Sequence, residues 1–143
     1  QRAVLPRTGT PVVRVLITGG SGYFGSLLAA QARARGDEVR ILDLNPPDAE
    51  VGSVEYVAGD VRDRAVVRAA CADVDVVFHN VAQVPLARDR ELFESVNVGG
   101  TARVLAAARD AGVAKVVHTS SSAVFGIPRS KYQSIAYRCS RPI

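Results

Sequence analysis

Short apolar runs alternate along this chain with stretches in which apolar and polar residues mix. Residues 12–17 are β-branched and almost wholly apolar, as expected of a central parallel strand that is covered on both faces. Further short apolar runs at 38–42, 54–57, 74–78 and 113–118 predict four more strands.

Helical spacing of apolar residues fills the segments between these strands. After the first strand, a helix that ends at Gly36 is predicted by apolar residues at helical spacing: Phe24, Leu27, Leu28 and Ala32. A second helix is capped by Asp63, and its predicted apolar side consists of Val66, Val67, Ala70 and Cys71. A third and longer helix covers 89–111 and ends at Gly112, with an inward face predicted as Val98, Ala102, Leu105 and Ala106.

Strands that alternate with helices over short connections predict an α/β fold with a doubly wound parallel sheet, ending after about five strands. Residues 1–11, with two prolines and a Thr-Gly-Thr, form an irregular lead-in, and 12–126 form the folded domain. Residues 127–143 show neither the helical nor the strand pattern of apolar residues and are expected to be a poorly ordered tail.

Charge adds little to this fold prediction. The formal net charge is +4, but four of the 18 basic residues follow Gly126, where no acidic residue occurs. The excess charge therefore lies in the tail, which argues against a nucleic-acid-binding domain.

No apolar run approaches the roughly 20 residues that span a bilayer, and no secretory leader is visible. Cys71 and Cys139 form neither a disulfide framework nor a metal site, so we expect a cytoplasmic protein.

The turn after the first strand carries the sharpest chemical signal. Gly19, Gly22 and Gly25 have the spacing G-x-x-G-x-x-G between an apolar strand and an amphipathic helix. Glycines there allow a tight turn, close approach of the backbone to a phosphate, and close packing of helix on strand. The helix N-terminus offers N–H groups and a positive dipole end to an anion. A plain glycine-rich turn is the alternative, but the placement favours a Rossmann-type dinucleotide site.

Acidic residues end the next two strands. Asp43 lies 24 residues after Gly19, close to the interval at which a carboxylate meets the adenosine ribose. A carboxylate there repels a 2′-phosphate, so NAD is favoured over NADP, although an exposed loop aspartate is also possible. Asp60 ends the third strand, where it could reach the adenine amino group or simply cap a turn.

The fourth and fifth strands end in further polar groups. Residues 80–82 would line the same crevice, and Ser120, Ser121 and Ser122 put hydroxyls at its edge, either as a catalytic hydrogen bond or as a plain serine turn. His79 and His118 have no carboxylate or cysteine spaced to form a dyad, so we expect structural roles for both.

Together these segments resemble the extended short-chain dehydrogenase/reductase family, in its NAD-dependent epimerase/dehydratase branch. The resemblance covers about residues 12–126 and rests on Thr18–Gly25, Gly59–Asp63, His79–Ala82, Asn97–Thr101 and Val117–Gly126. It implies NAD as the cofactor and a nucleotide sugar as the substrate of the intact relative, which could be a homodimer.

The resemblance also implies a role for individual residues. The pyrophosphate would be held by Gly19, Gly22, Tyr23, Phe24 and Gly25. Asp43 would bind the adenosine ribose, and Asp60 with Val61 the adenine. Val81 and Ala82 would pass beside the nicotinamide half, Asn97 would lie near its end, and Ser121 would be the catalytic serine.

One departure from the family is serious. Its catalytic Tyr-x-x-x-Lys should follow Ser121 by about 25 residues, but Tyr132 is followed four residues later by Ala136. Tyr137 precedes Arg141 at the right spacing but too early, and arginine replaces lysine poorly. The sequence therefore predicts the N-terminal, NAD-binding part of such an enzyme without its substrate domain. The alternatives are a non-catalytic dinucleotide-binding regulatory module and part of a steroid- or flavonoid-type reductase.

Overall fold

The computed structural model describes residues 11–83 and 89–121. Within these ranges the five predicted strands are present. They are β1 (Arg14–Thr18), β2 (Glu38–Asp43), β3 (Glu55–Ala58), β4 (Val76–His79) and β5 (Lys115–His118).

The strands form one sheet in the order β3-β2-β1-β4-β5, and every neighbouring pair is parallel. The chain builds one half outward from β1 to β3 and then crosses back to place β4 on the other side of β1. The order reverses between β1 and β4, and open α/β sheets form their ligand crevice at the carboxyl ends of the strands at such a point. The predicted doubly wound, Rossmann-type sheet is confirmed.

The helices begin and end where local chemistry predicts. They are α1 (Tyr23–Ala34), α2 (Arg64–Cys71), α3 (Arg90–Glu94) and α4 (Thr101–Asp110), and a 3₁₀ turn covers Ala49–Val51. Asp63 caps α2 by accepting hydrogen bonds from the main-chain N–H groups of Ala65 and Val66. Gly36 and Gly112 follow α1 and α4 with φ of +92° and +72°, the left-handed conformation that glycine adopts without strain.

Two apolar cores cover the two faces of the sheet. On one face Leu16, Leu42 and Val77 pack against α2 and α4. On the other face Ile17 and Ile41 pack against α1 through Ala29. Cys71 is fully buried in the first core, and burial raises the pKa of its thiol, which disfavours the reactive thiolate. None of the helices in the described ranges is long and apolar enough to cross a membrane.

The inward face predicted for the long helix is wrong, although the helix itself is present as α3, a π-helical turn at Ser95–Gly100, and α4. Val98 and Leu105 are 67% and 48% exposed, and Ala102 and Ala106 are exposed as well. The buried residues are instead Val96, Val104, Ala107 and Ala108. Alanines occur on both faces, so the sequence offers little contrast between them, and the wider π-helical turn changes the phase of the residues that precede α4.

Candidate functional site

A cavity of about 360 Å³ lies at the carboxyl ends of the strands, at the point where the strand order reverses. Its walls come from the turn after β1, the ends of β2 and β3, and the segment after β4. Seven of the eleven predicted cofactor residues line it: Gly19, Gly22, Asp43, Asp60, Val61, Val81 and Ala82. The remaining four, Tyr23, Phe24, Gly25 and Asn97, lie on α1 and in the π-helical turn.

The glycines of the turn are held for different reasons. Gly19 has φ of +70°, and a Cβ there would lie 3.2 Å from the Cγ2 of Val81. A Cβ on Gly25 would collide with the carbonyl oxygen of Gly19 and lie 2.7 Å from the Cα of Gly20. Gly22 lines the cavity, and a Cβ there would make only an ordinary van der Waals contact, 3.5 Å from the carbonyl oxygen of Gly19. Gly19 and Gly25 are therefore required by the protein itself, whereas Gly22 leaves room for a ligand.

Gly20 lies outside the G-x-x-G-x-x-G spacing and was not predicted as a site residue. A Cβ on Gly20 would lie 2.6 Å from the Cγ2 of Ile41 in β2. The side chain is therefore excluded by packing of the turn against the neighbouring strand, which a local motif cannot reveal.

The N-terminus of α1 faces the turn without a side-chain cap. Gly22 is the N-cap residue and accepts from the N–H of Ser26 at 2.8 Å. By helix geometry, the N–H groups of Tyr23, Phe24 and Gly25 have no carbonyl one turn earlier inside the helix, so they suit an anion. The side chains of Tyr23 and Phe24 are 86% and 50% exposed, so their expected contribution to a pyrophosphate comes through the main chain.

Asp43 joins the glycine turn to the loop after β2. Its Oδ2 accepts from the N–H of Ser21 and its Oδ1 from the N–H of Asn45, each at 3.1 Å. The hydroxyl of Ser21 also donates to the carbonyl of Asn45 at 2.7 Å. Each carboxylate oxygen can accept more than one hydrogen bond, so the orientation is fixed while capacity for ribose hydroxyls remains.

Asp60 is paired with Arg62, which was not predicted as a site residue. Oδ2 of Asp60 lies 2.6 Å from the terminal nitrogen of Arg62 and 2.9 Å from its Nε, and Oδ1 accepts from the N–H of Arg62 at 2.8 Å. The side-chain hydrogen bond from Arg62 is the largest cause that lowers the pKa of Asp60 below its usual value, so the carboxylate is ionised at neutral pH. The adenine contact proposed for Asp60 would be shared with Arg62, which also lines the cavity.

Asn97 fixes the segment that leaves β4. Its Oδ1 accepts from the N–H of Gln83 at 2.7 Å, and its Nδ2 donates to the carbonyl of Gln83 at 2.9 Å. Gln83 lines the cavity beside Val81 and Ala82. Asn97 thus acts on the cavity wall through the main chain of Gln83, and its expected place near the nicotinamide stays a prediction.

His79 and His118 end adjacent strands, and their rings stack with centroids 5.2 Å apart. His79 is 1% exposed, with Nδ1 2.7 Å from the hydroxyl of Thr18 and Nε2 2.9 Å from that of Thr101. Burial, and to a lesser extent repulsion from His118, lowers the pKa of His79 from 6.5 to about 4. His79 is therefore neutral at physiological pH, in agreement with the structural role expected for it.

Ser121 lies three residues beyond the end of β5, on the carboxyl side of the sheet. The strand end is held by Thr119, whose N–H donates to the carbonyl of His79 at 3.0 Å and whose hydroxyl donates to the Oδ1 of Asn80 at 2.5 Å. Ser122, Tyr132, Tyr137 and Arg141 lie outside the described residues. Among the residues that are described, no three His, Cys, Asp or Glu side chains form a group that could hold a metal ion.

Comparison with protein families agrees with this geometry. A model of the NAD dependent epimerase/dehydratase family matches residues 15–141. The chain belongs to this family. Among its curated relatives, protein y4nG of Sinorhizobium fredii is 51% identical over 122 residues, which are 85% of this chain and 31% of the relative. A 3-beta-hydroxysteroid dehydrogenase of Mycolicibacterium neoaurum is 36% identical over 127 residues, 83% of this chain and 35% of that protein.

A solved structure resembles the epimerase-family chain in fold. It is the UDP-glucose-4-epimerase of Stenotrophomonas maltophila with bound NAD and formylated UDP-arabinopyranose, at a TM-score of 0.71 and 29% identity. The match covers 85% of this chain and 40% of that protein. The chain spans about a third of the length of the curated relatives it matches.

Proposed function

We propose that this chain is the NAD-binding portion of an epimerase/dehydratase-family oxidoreductase that acts on a nucleotide sugar. The observation that carries the proposal is the cavity at the strand-order reversal, where a glycine turn, the N-terminus of α1 and Asp43 meet. The family match and the NAD-bound epimerase structure indicate NAD as the cofactor.

The residues present fit this cofactor. The cavity beside Gly22 would admit a pyrophosphate to the N–H groups at the start of α1. Asp43 would accept hydrogen bonds from the adenosine ribose and repel a 2′-phosphate, which favours NAD over NADP. Asp60, Val61 and Arg62 would surround the adenine, and Val81 and Ala82 would lie along the nicotinamide half.

When bound, NAD supplies the hydride acceptor for oxidation of a secondary alcohol. In the intact relative, the hydroxyl of Ser121 would hydrogen-bond the substrate oxygen, and the proton would go to an acid/base pair that these 143 residues do not provide in the expected position. The 143-residue protein should therefore turn over no nucleotide sugar, and we also expect it to bind NAD weakly. Steady NADH formation from UDP-glucose by the 143-residue protein would contradict this part of the proposal.

The substrate class rests on the bound nucleotide sugar in the epimerase structure. A second candidate, a 3β-hydroxysteroid, is favoured by the Mycolicibacterium neoaurum relative, which is the more similar of the two in sequence. Both substrates present a secondary hydroxyl to the nicotinamide, so the cofactor site described above serves either reaction. A non-catalytic dinucleotide-binding module is the third candidate.

Calorimetric titration of the 143-residue protein with NAD and NADP tests the proposed cofactor. We expect saturable NAD binding at least about tenfold tighter than NADP binding, a difference of about 1.4 kcal/mol. Tighter binding of NADP would overturn the role given to Asp43, and failure to bind either would overturn the cofactor proposal.

A further inference from the structure

A chain of hydrogen bonds passes through the buried ring of His79 and joins three separate elements. On one side of the ring, Thr18 is the last residue of β1. On the other side, Thr101 is the first residue of α4. His79 itself ends β4, so a single side chain connects two neighbouring strands and the helix that covers them.

The hydroxyl of Thr18 makes a third contact, to the residue that follows His79. The main-chain N–H of Asn80 is shared between the hydroxyl oxygen of Thr18, at 3.3 Å, and the main-chain carbonyl of Thr18, at 3.2 Å. A neutral imidazole has one donor and one acceptor nitrogen, so the ring donates to one of the two threonine hydroxyls and accepts from the other. Both nitrogens of the buried ring are therefore satisfied by Thr18 and Thr101.

The Thr18 end of this chain of bonds lies at the cofactor cavity. Thr18 directly precedes Gly19, and Asn80 directly precedes Val81. Gly19 and Val81 both line the cavity and approach so closely that a Cβ on Gly19 would lie 3.2 Å from the main-chain nitrogen of Val81. Thr101, by contrast, does not line the cavity and begins α4, which packs against one face of the sheet.

We propose that His79 is a positioning residue for the cofactor: through Thr18 it sets the separation between the glycine turn and the Val81 wall. The inference rests on the proposed binding of NAD in this cavity. This role differs from general packing because cofactor affinity requires only the hydrogen bond between the ring and Thr18, and not the one between the ring and Thr101. A ring that merely fills the core would make both bonds matter for stability and neither matter for cofactor affinity.

Two pairs of variants distinguish the contribution of the Nδ1 hydrogen bond from that of the Nε2 hydrogen bond. Thr18→Val and Thr101→Val each remove one hydroxyl and keep the β-branched shape. His79→Asn places an amide near the position of Nδ1, and His79→Gln places one near the position of Nε2, so each keeps the partner that the other loses. All four are compared with the wild type by thermal unfolding and by calorimetric titration with NAD.

We expect Thr18→Val and His79→Gln to weaken NAD binding about five- to tenfold, as expected for one lost hydrogen bond that orders the site. Thr101→Val should stay within about twofold of the wild type, even where the melting temperature falls, and His79→Asn should lose less affinity than His79→Gln. Equal NAD affinities in all four folded variants, or a larger loss in Thr101→Val, would overturn the positioning role.

Amide hydrogen exchange provides a readout that needs no cofactor. The N–H of Gly19 donates to the carbonyl of Leu42 at 2.9 Å, and the N–H of Gly22 donates to that of Gly19 at 3.3 Å. Thr18→Val should speed exchange at both glycines, whereas Thr101→Val should not. If the wild type fails to bind NAD but this difference is seen, the proposed function fails and the coupling of His79 to the turn stands. Equal exchange at these glycines in both variants overturns the coupling.

Discussion

Asn97 binds both main-chain polar groups of Gln83, accepting from its N–H at 2.7 Å and donating to its carbonyl at 2.9 Å. The two residues are 14 positions apart, one in the π-helical turn and the other in the segment that leaves β4. A primary amide matches an N–H and a carbonyl on one residue as no carboxylate or hydroxyl can, because it offers a donor and an acceptor side by side.

Replacement of Asn97 should therefore loosen the segment after β4, in which Gln83 lines the cavity. We expect Asn97→Ala to lower the free energy of unfolding by about 1–3 kcal/mol, the value of two lost hydrogen bonds, as measured by urea denaturation. Asn97→Asp keeps the acceptor but sets a charged oxygen against the carbonyl of Gln83, so its loss should be at least as large. Asn45→Ala is the matched control, since Asn45 lies on the same cavity rim and bonds Ser21 and Asp43 through its main chain. A loss in Asn97→Ala no larger than in this control would show that the Gln83 contact adds no stability.

Two glycines of the turn should respond oppositely to alanine. A Cβ on Gly25 has no room beside the carbonyl of Gly19, so Gly25→Ala should lose about 1–3 kcal/mol of folding free energy. Gly22 has space for a methyl group and a negative φ of −78°, so Gly22→Ala should fold. Its methyl group would occupy the space in front of the turn and weaken NAD binding. Urea denaturation and calorimetry on the two variants provide the comparison, and a Gly22→Ala protein with unchanged NAD affinity would exclude this approach of the pyrophosphate.

Asp43 should determine which dinucleotide is preferred. Asp43→Asn keeps an acceptor for the ribose hydroxyls and removes the negative charge that repels a 2′-phosphate. We expect the ratio of NAD to NADP affinity to fall by about tenfold, mostly through tighter NADP binding. Asp48→Asn, on the exposed loop that follows, changes the net charge equally and should leave the ratio unchanged. An equal change in both variants would indicate a general charge effect.

Stability should fall on acidification because His79 is buried in its neutral form. The pKa of His79 is lowered from 6.5 to about 4, so between these two values the unfolded chain binds a proton that the folded chain does not. The contribution of neutral His79 is fully present above pH 6.5 and is lost as the pH falls toward 4, with a slope of up to about 1.4 kcal/mol per pH unit.

Urea denaturation at several pH values measures this slope. His79→Asn has no titrating ring and should show a flatter dependence in the same range. Parallel curves for the two proteins would mean that carboxylates, not His79, cause the acid sensitivity. The contribution of Asp60 lies lower, because its pKa is depressed and its stabilisation is lost only as the pH falls below the usual carboxyl value of 3.8.

Local patterns were sufficient to predict the elements and the position of the site. Each helix and strand depends on periodicity, caps and glycine stops within a few residues, as at Asp63 and Gly36. The carboxyl ends of parallel strands share one edge of a sheet, so the strand pattern alone was enough to expect Asp43, Asp60 and Val81 near one another.

The sequence by itself thus determined the alternation of strands and helices, the glycine turn and the family to which the chain belongs. Tertiary structure alone decided the buried face of α4 and the two bonds from Asn97 to Gln83. It also decided the link from Thr18 through His79 to Thr101, which joins residues 61 and 22 positions apart. The physical reason is that periodicity and capping are properties of neighbouring residues, whereas a hydrogen bond between side chains depends on where the sheet brings distant strand ends together.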